Sequence, residues 1–221
     1  MFYQELKEKF IENADLEKAK QMAAYMRNQF AFYGYQSKAR KDLYHQFLLN
    51  EKKRKMIDWG LLNQAWQNSH REMQYFVCDY LITMQKYLNF DDMPKIEKFV
   101  RSKQWWDTID SLIKPISKLV LRDPRINNLM LKWSTDPDFW VRRVAIEHQL
   151  LRKDKTNKDL LAKIIANNLG SSEFFINKAI GWALRDYSKT NPDWVKSFII
   201  GNKDKMSKLS ISEGSKYIKL D

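Results

Sequence analysis

An all-α chain is what this sequence predicts, on three observations. Glycine and proline are scarce, six and five in 221 residues, so turns are few and elements long. Apolar residues recur at the three-to-four-residue spacing of amphipathic helices instead of alternating. Asp-Pro and Asn-Pro pairs stand at 123–124, 136–137 and 191–192, and an acceptor side chain followed by proline is how many helices begin.

Residues 2–12 read as a short amphipathic helix. Asp15 reads as the N-cap of a second, running to Phe30, with Met22, Met26 and Phe30 inward and Gln21, Tyr25 and Asn28 as a polar seam. Gly34 ends that unit in FYGYQSKAR, and Ser37 caps a third helix through Leu49 with Leu43, Phe47 and Leu48 inward. The charge run EKKRK, 51–55, reads as a solvated helix end or loop. Asp58 caps a helix carrying Trp59, Leu62 and Trp66. The segment from His70 to Tyr87 is apolar on much of its circumference, so it is expected to be central. Asp91 or Asp92 caps 94–100, where proline stands near the start. SKQWWDTIDSLIKP follows and ends on Pro115. Helices are then expected from 123–124 through Trp133, from 136–137 through Leu151, and over 157–169, 173–189, 192–200 and 212–219. Helix pairs therefore recur at roughly 35–45 residues, the period of HEAT-like repeats. Stacked pairs make a curved solenoid with a concave face, here a basic one. One domain over 1–221 is expected.

The formal net charge is +12. That surplus points to nucleic acid first and anionic membrane second. No apolar run approaches the roughly 18 residues of a membrane-spanning helix, and MFYQELKEKF lacks the apolar segment of a signal peptide. The lone cysteine, Cys78, lies in YFVCDYLI and reads as a buried small hydrophobe in a reducing compartment. The expected location is the cytoplasm of a bacterial-type cell, on the nucleoid. His45, His70 and His148 show no metal-ligand spacing, so neither metal nor cofactor is expected.

Three places carry residues that a packed helix array does not require. In WWDTID, Trp106 and Asp110 are four apart and share a helix face, while Ile109, Leu112 and Ile113 turn to the core. A carboxylate beside an indole acts strongly on a nearby cation, although helix capping by Asp107 or Asp110 and plain packing by the tryptophans are the simpler account. In FWVRRVAI the helix is apolar nearly all round, so the adjacent Arg142 and Arg143 need a partner, either an internal carboxylate or a phosphate. In EFFINKAIGWALRDY, Ile176, Ile180, Ala183 and Tyr187 form a core face. Lys178, Trp182, Arg185 and Lys189 form a basic stripe opposite, broken by one indole. Such an indole is either covered by a ligand or tucked beneath the next repeat.

These strings resemble the AlkD-type DNA alkylation-repair glycosylases, which are built of HEAT-like repeats. WVRRVAI followed by FFINKAIGWALRDYSKTNPDWV carries the resemblance, with AYMRNQFAFYGYQSKAR, WWDTID and LSISEGSKYI extending it over nearly the whole chain. The resemblance implies that Asp110 is the catalytic carboxylate and that Trp106 and Trp182 line the lesion pocket. It implies that Arg143 holds DNA phosphate near the lesion, that Tyr25 and Gln36 contact the DNA backbone and the disturbed base pair, and that Arg40 is a further basic position. The chain departs from the family pattern at Lys38 and Ala39, where Pro and Glu are common, and at Ser212, where Arg is common. The implied substrate is duplex DNA carrying N3- or N7-alkylated purines, and the implied product is the free base, released by a monomer without metal. A related subgroup keeps the fold and binds unusual DNA structures without excising bases. That is the alternative function, and the joint presence of Asp110, Trp106, Arg143 and Trp182 favours the enzyme.

Overall fold

The computed structural model describes residues 2–220, which form thirteen α-helices joined by short turns. One isolated bridge, between Ala31 and His70, is the extended pairing seen among them. The chain divides into two compact units between Leu88 and Asn89.

The first unit holds α1 (Phe2–Glu12), α2 (Leu16–Tyr25), α3 (Ser37–Arg54), α4 (Trp59–Gln67) and α5 (Arg71–Met84). Helix α5 is central, as its composition predicts: Met73, Phe76, Val77, Tyr80, Leu81 and Met84 are fully buried. Asp15 caps α2 through the Lys18 amide at 3.0 Å. The helix stops at Tyr25, short of the expected Phe30, because Arg27 and Asn28 take left-handed backbone angles, φ 55° and 57°. Helix α3 in turn outruns its expected end at Leu49. The 51–55 charge run is its last turn, closed by Lys55 at φ 58°. Within that run Glu51 is buried, accepting from the Tyr80 hydroxyl and from Arg54, both at 2.7 Å. A second buried acid, Glu72, accepts the backbone N–H groups of Tyr33, Gly34 and Tyr35 at 2.9–3.1 Å. Burial pushes its carboxyl up while those donors hold it back. Only glycine fits at 34, where φ is +100° and a Cβ would lie 2.1 Å from the Asp15 carbonyl oxygen.

The second unit holds α6 (Met93–Val100), α7 (Trp106–Val120), α8 (Arg125–Trp133), α9 (Phe139–Glu147), α10 (Lys158–Ala166), α11 (Phe174–Ser188), α12 (Pro192–Asn202) and α13 (Lys208–Gly214). Helices α7, α9, α11 and α13 pack in succession as one layer, and α8 and α10 pack behind them. This alternation is the helix-pair repeat that the period predicts.

Several helix ends in this unit differ from expectation. Helix α7 runs through Pro115 to Val120, with the proline buried in its interior. Helix α9 begins after Asp138, whose carboxylate caps the Trp140 amide at 2.9 Å. The expected cap, Asp136, instead clasps Arg101 at 2.6 and 3.1 Å. It ends at Glu147 and not Leu151, which sits at φ 64°. The last helix starts at Lys208 behind the Ser207 cap and ends at Gly214, ahead of the expected 212–219. Among the described residues no helix is long and apolar enough to cross a membrane.

Candidate active site

The N-terminal turn of α7 sets the site. Ile109, Leu112 and Ile113 bury the inner face of that helix, which leaves Trp106 and Asp110, one turn apart, half-buried on its flank. The neighbouring layer helix α9 is held by Trp140, Val141, Val144 and Ala145, and that packing sends Arg143 toward α7. Its guanidinium grips Asp110 with both forks, Nε to Oδ1 at 2.9 Å and Nη2 to Oδ2 at 3.1 Å. Nη1 donates to the Phe175 carbonyl on α11 at 2.7 Å. Nη2 also lies 2.9 Å from Glu147 Oε1, one turn further along α9. Phe175 belongs to an aromatic wall with Trp105 and Trp140, their ring centroids 4.7–5.9 Å apart.

Arg143 is 1% exposed, whereas the Asp110 side chain keeps 27% of its surface. Burial pushes the Asp110 carboxyl up, and the charge and hydrogen bonds of Arg143 pull it back. Burial pushes Glu147 further, to about 8, with the Asp110 charge adding to it. Of the two partners its sequence context allows, a phosphate and an internal carboxylate, Arg143 binds the carboxylate here. Its donors are spent inside, and a guanidinium this deep is stable only when so paired.

Trp182 on α11 joins the same cluster. Arg143 lies 5.3 Å from its ring centre, Lys178 5.9 Å and Arg185 6.0 Å, so three cations surround one half-buried indole. Lys178 and Arg185, expected as DNA contacts, are both bound by one carboxylate from α13, Glu213, at 2.5 and 2.6 Å. Helix α13 can approach this closely because residue 181 is glycine: a Cβ there would sit 2.5 Å from Glu213 Cβ. Arg142 does not reach the cluster, and its Nη1 binds the carbonyl of Asp136 at 2.7 Å.

In the first unit Tyr25, Gln36 and Arg40 line one open cleft of about 460 Å³, together with Tyr75 and Phe32. Tyr25 is 72% exposed, and Gln36 is exposed at the start of α3. Arg40 lies deeper in that cleft: it is 8% exposed, donates to the Tyr44 hydroxyl and to Asp79 at 2.9 and 3.2 Å, and stacks on Tyr75 at 4.5 Å. It shapes the cleft wall, with Nε and Nη2 held inside.

Sequence reasoning missed Glu147, Phe175 and Glu213. Glu147 had a readable signal, since it stands four residues after Arg143 on one helix face. Glu213 had none, because its partners lie 28 and 35 residues away.

An all-helical repeat with a partly exposed carboxylate, an internal arginine and an indole in one cluster matches a known family. The DNA alkylation repair enzyme model matches residues 6–218, and the chain belongs to that family. It is similar to a structure described as a predicted DNA alkylation repair enzyme from Enterococcus faecalis. The two are 34% identical with a TM-score of 0.86, over 94% of this chain and 98% of that one. Two Streptococcus mutans structures share the fold: AlkD2, at 20% identity and a TM-score of 0.65 over 91% and 99% of the chains, and smu.31, at 22% and 0.59 over 81% and 98%. No curated protein matches the chain.

Proposed function

We propose that this chain is a DNA glycosylase that hydrolyses the N-glycosidic bond of positively charged N3- or N7-alkylated purines in duplex DNA. The observation that carries the reading is Asp110, a mostly buried carboxylate that keeps a solvent-facing edge while Arg143 fixes its orientation and Trp182 packs on that same guanidinium.

An N3- or N7-alkylated purine already carries positive charge and leaves readily. As the bond from C1′ breaks, its electron pair goes to the base, which becomes neutral, and the sugar acquires oxocarbenium character. A fixed anion at that point stabilises the developing cation without reorganising. Water then adds to C1′ and loses a proton, which leaves an abasic site. Asp110 is positioned for the charge and for orienting that water. Trp106, one turn from Asp110, is assigned to the cationic base, and Trp182 lines the same pocket while packing on the guanidinium that orients Asp110. Tyr25 and Gln36 contribute duplex contacts from the first unit.

Incubation of duplex carrying 7-methylguanine with the protein, followed by detection of free base, tests this reading. Release by the wild type and its loss in Asp110→Asn is the expected result. Retardation of DNA without release by the wild type would establish a non-catalytic module for structured DNA instead.

A further inference from the structure

Arg143 serves two carboxylates, and the reading above uses only one. Glu147 is 1% exposed and meets the same Arg143 nitrogen, Nη2, that binds Asp110. Its Oε1 lies 2.9 Å from Arg143 Nη2, yet makes no hydrogen bond, because that nitrogen is directed to Asp110. Two anions on one cation would leave a net negative charge, and no water reaches the Glu147 end of the cluster to solvate it. A proton removes that charge. Of the two acids, Asp110 keeps both forks of the guanidinium and some solvent, so the inner acid is the one to take it.

We propose that Glu147 is a positioning residue that stays protonated in the working enzyme, bracing Arg143 while leaving the whole cationic charge to Asp110. The proposal rests on the assignment of Asp110 to catalysis. The charged groups acting on Glu147 are Arg143 on its own helix and Asp110 on α7, with which it also shares a side-chain hydrogen bond. Asp107 and Lys114, also on α7, act on Asp110 in turn, and the α11 contact to Arg143 is the neutral Phe175 carbonyl. Burial raises the carboxyl to about 8, in agreement with the geometry. Ionisation of Glu147 would place a second anion on Nη2 and repel Asp110, turning the catalytic carboxylate out of its bidentate seat.

Two measurements test this. Infrared spectra of the wild type at neutral pH should show a protonated carboxylic acid band that vanishes as pH rises through the alkaline range and is absent from Glu147→Gln. In single-turnover base release, the wild-type rate should fall about tenfold per pH unit above that ionisation, while Glu147→Gln holds its own neutral rate within about threefold. The fall should appear in the chemical step with DNA affinity unchanged. Identical spectra in the two proteins, or the same alkaline fall in both, would overturn the proposal. Should Glu147→Gln not fold, the titrating band in the wild type and its shift in Asp110→Asn decide the matter alone. Absence of any base release from the wild type would refute the glycosylase reading instead, and the infrared result would still place or exclude the proton.

Discussion

At the scale of single residues, Arg143 acts as an internal counter-ion. Each of its three nitrogens donates to a protein oxygen, and its exposure is 1%. Removing one partner of such a buried pair strands the other, at a cost of about 3–5 kcal/mol. Arg143→Ala should therefore destabilise the fold by roughly that amount and reduce base release by about a hundredfold or more. The salt dependence of DNA binding should stay unchanged, since no phosphate contact is lost. A slope reduced by about one would instead restore Arg143 to the phosphate backbone. Arg143→Lys should not rescue, because an ammonium cannot hold a carboxylate with two parallel forks. Glu147 gives a prediction in pH. Its carboxyl rises from 4.5 to about 8 on folding, so the native state binds the extra proton between those values. Stability from this group is then fully present below about pH 4.5 and is lost as pH climbs through about 8. Denaturant unfolding of Glu147→Gln across that window should show a flatter dependence than the wild type.

At the scale of elements, α11 and α13 form the tightest arrangement near the site, and Gly181 permits it. Gly181→Ala would press a methyl to within 2.5 Å of Glu213 Cβ. Helix α13 would have to move, at a cost of about 1–3 kcal/mol, and Glu213 would loosen its hold on Lys178 and Arg185. Glu213→Gln tests the electrostatic half of that contact. Two cations now neutralised by one acid would face solvent, so DNA affinity should rise and the salt slope should steepen by about one to two. Unchanged binding would show that neither cation reaches DNA. Much of this scale was legible in the sequence. The α11 core face of Ile176, Ile180, Ala183 and Tyr187 is buried as its period predicts, and the caps Asp15, Asp58 and Asn191 stand where expected. Illegible were the ends set by left-handed residues such as Arg27 and Lys55, which no side-chain chemistry announces. The acids Glu51, Glu72 and Glu213 were likewise hidden. Each reads as ordinary surface charge until tertiary packing brings its partner, and Glu72 even takes its donors from a backbone 37–39 residues earlier. The basic stripe on α11 was legible as a stripe, but the helix that covers part of it was not.

At the scale of the whole molecule, 39 basic residues against 27 acidic ones leave the +12 charge, and many of the cations named at the outset turn out to be internally paired. On the proposed reading, affinity for duplex should draw on the solvent-exposed lysines and arginines and be largely indifferent to damage. Undamaged and methylated duplex should bind with similar, steep salt dependence, while discrimination appears in the chemical step. The most direct test of the account compares wild type and Asp110→Asn on duplex carrying 7-methylguanine, scoring DNA binding and free base in the same samples. Equal binding, with release by the wild type alone, is the predicted result. Full release by Asp110→Asn would contradict the account.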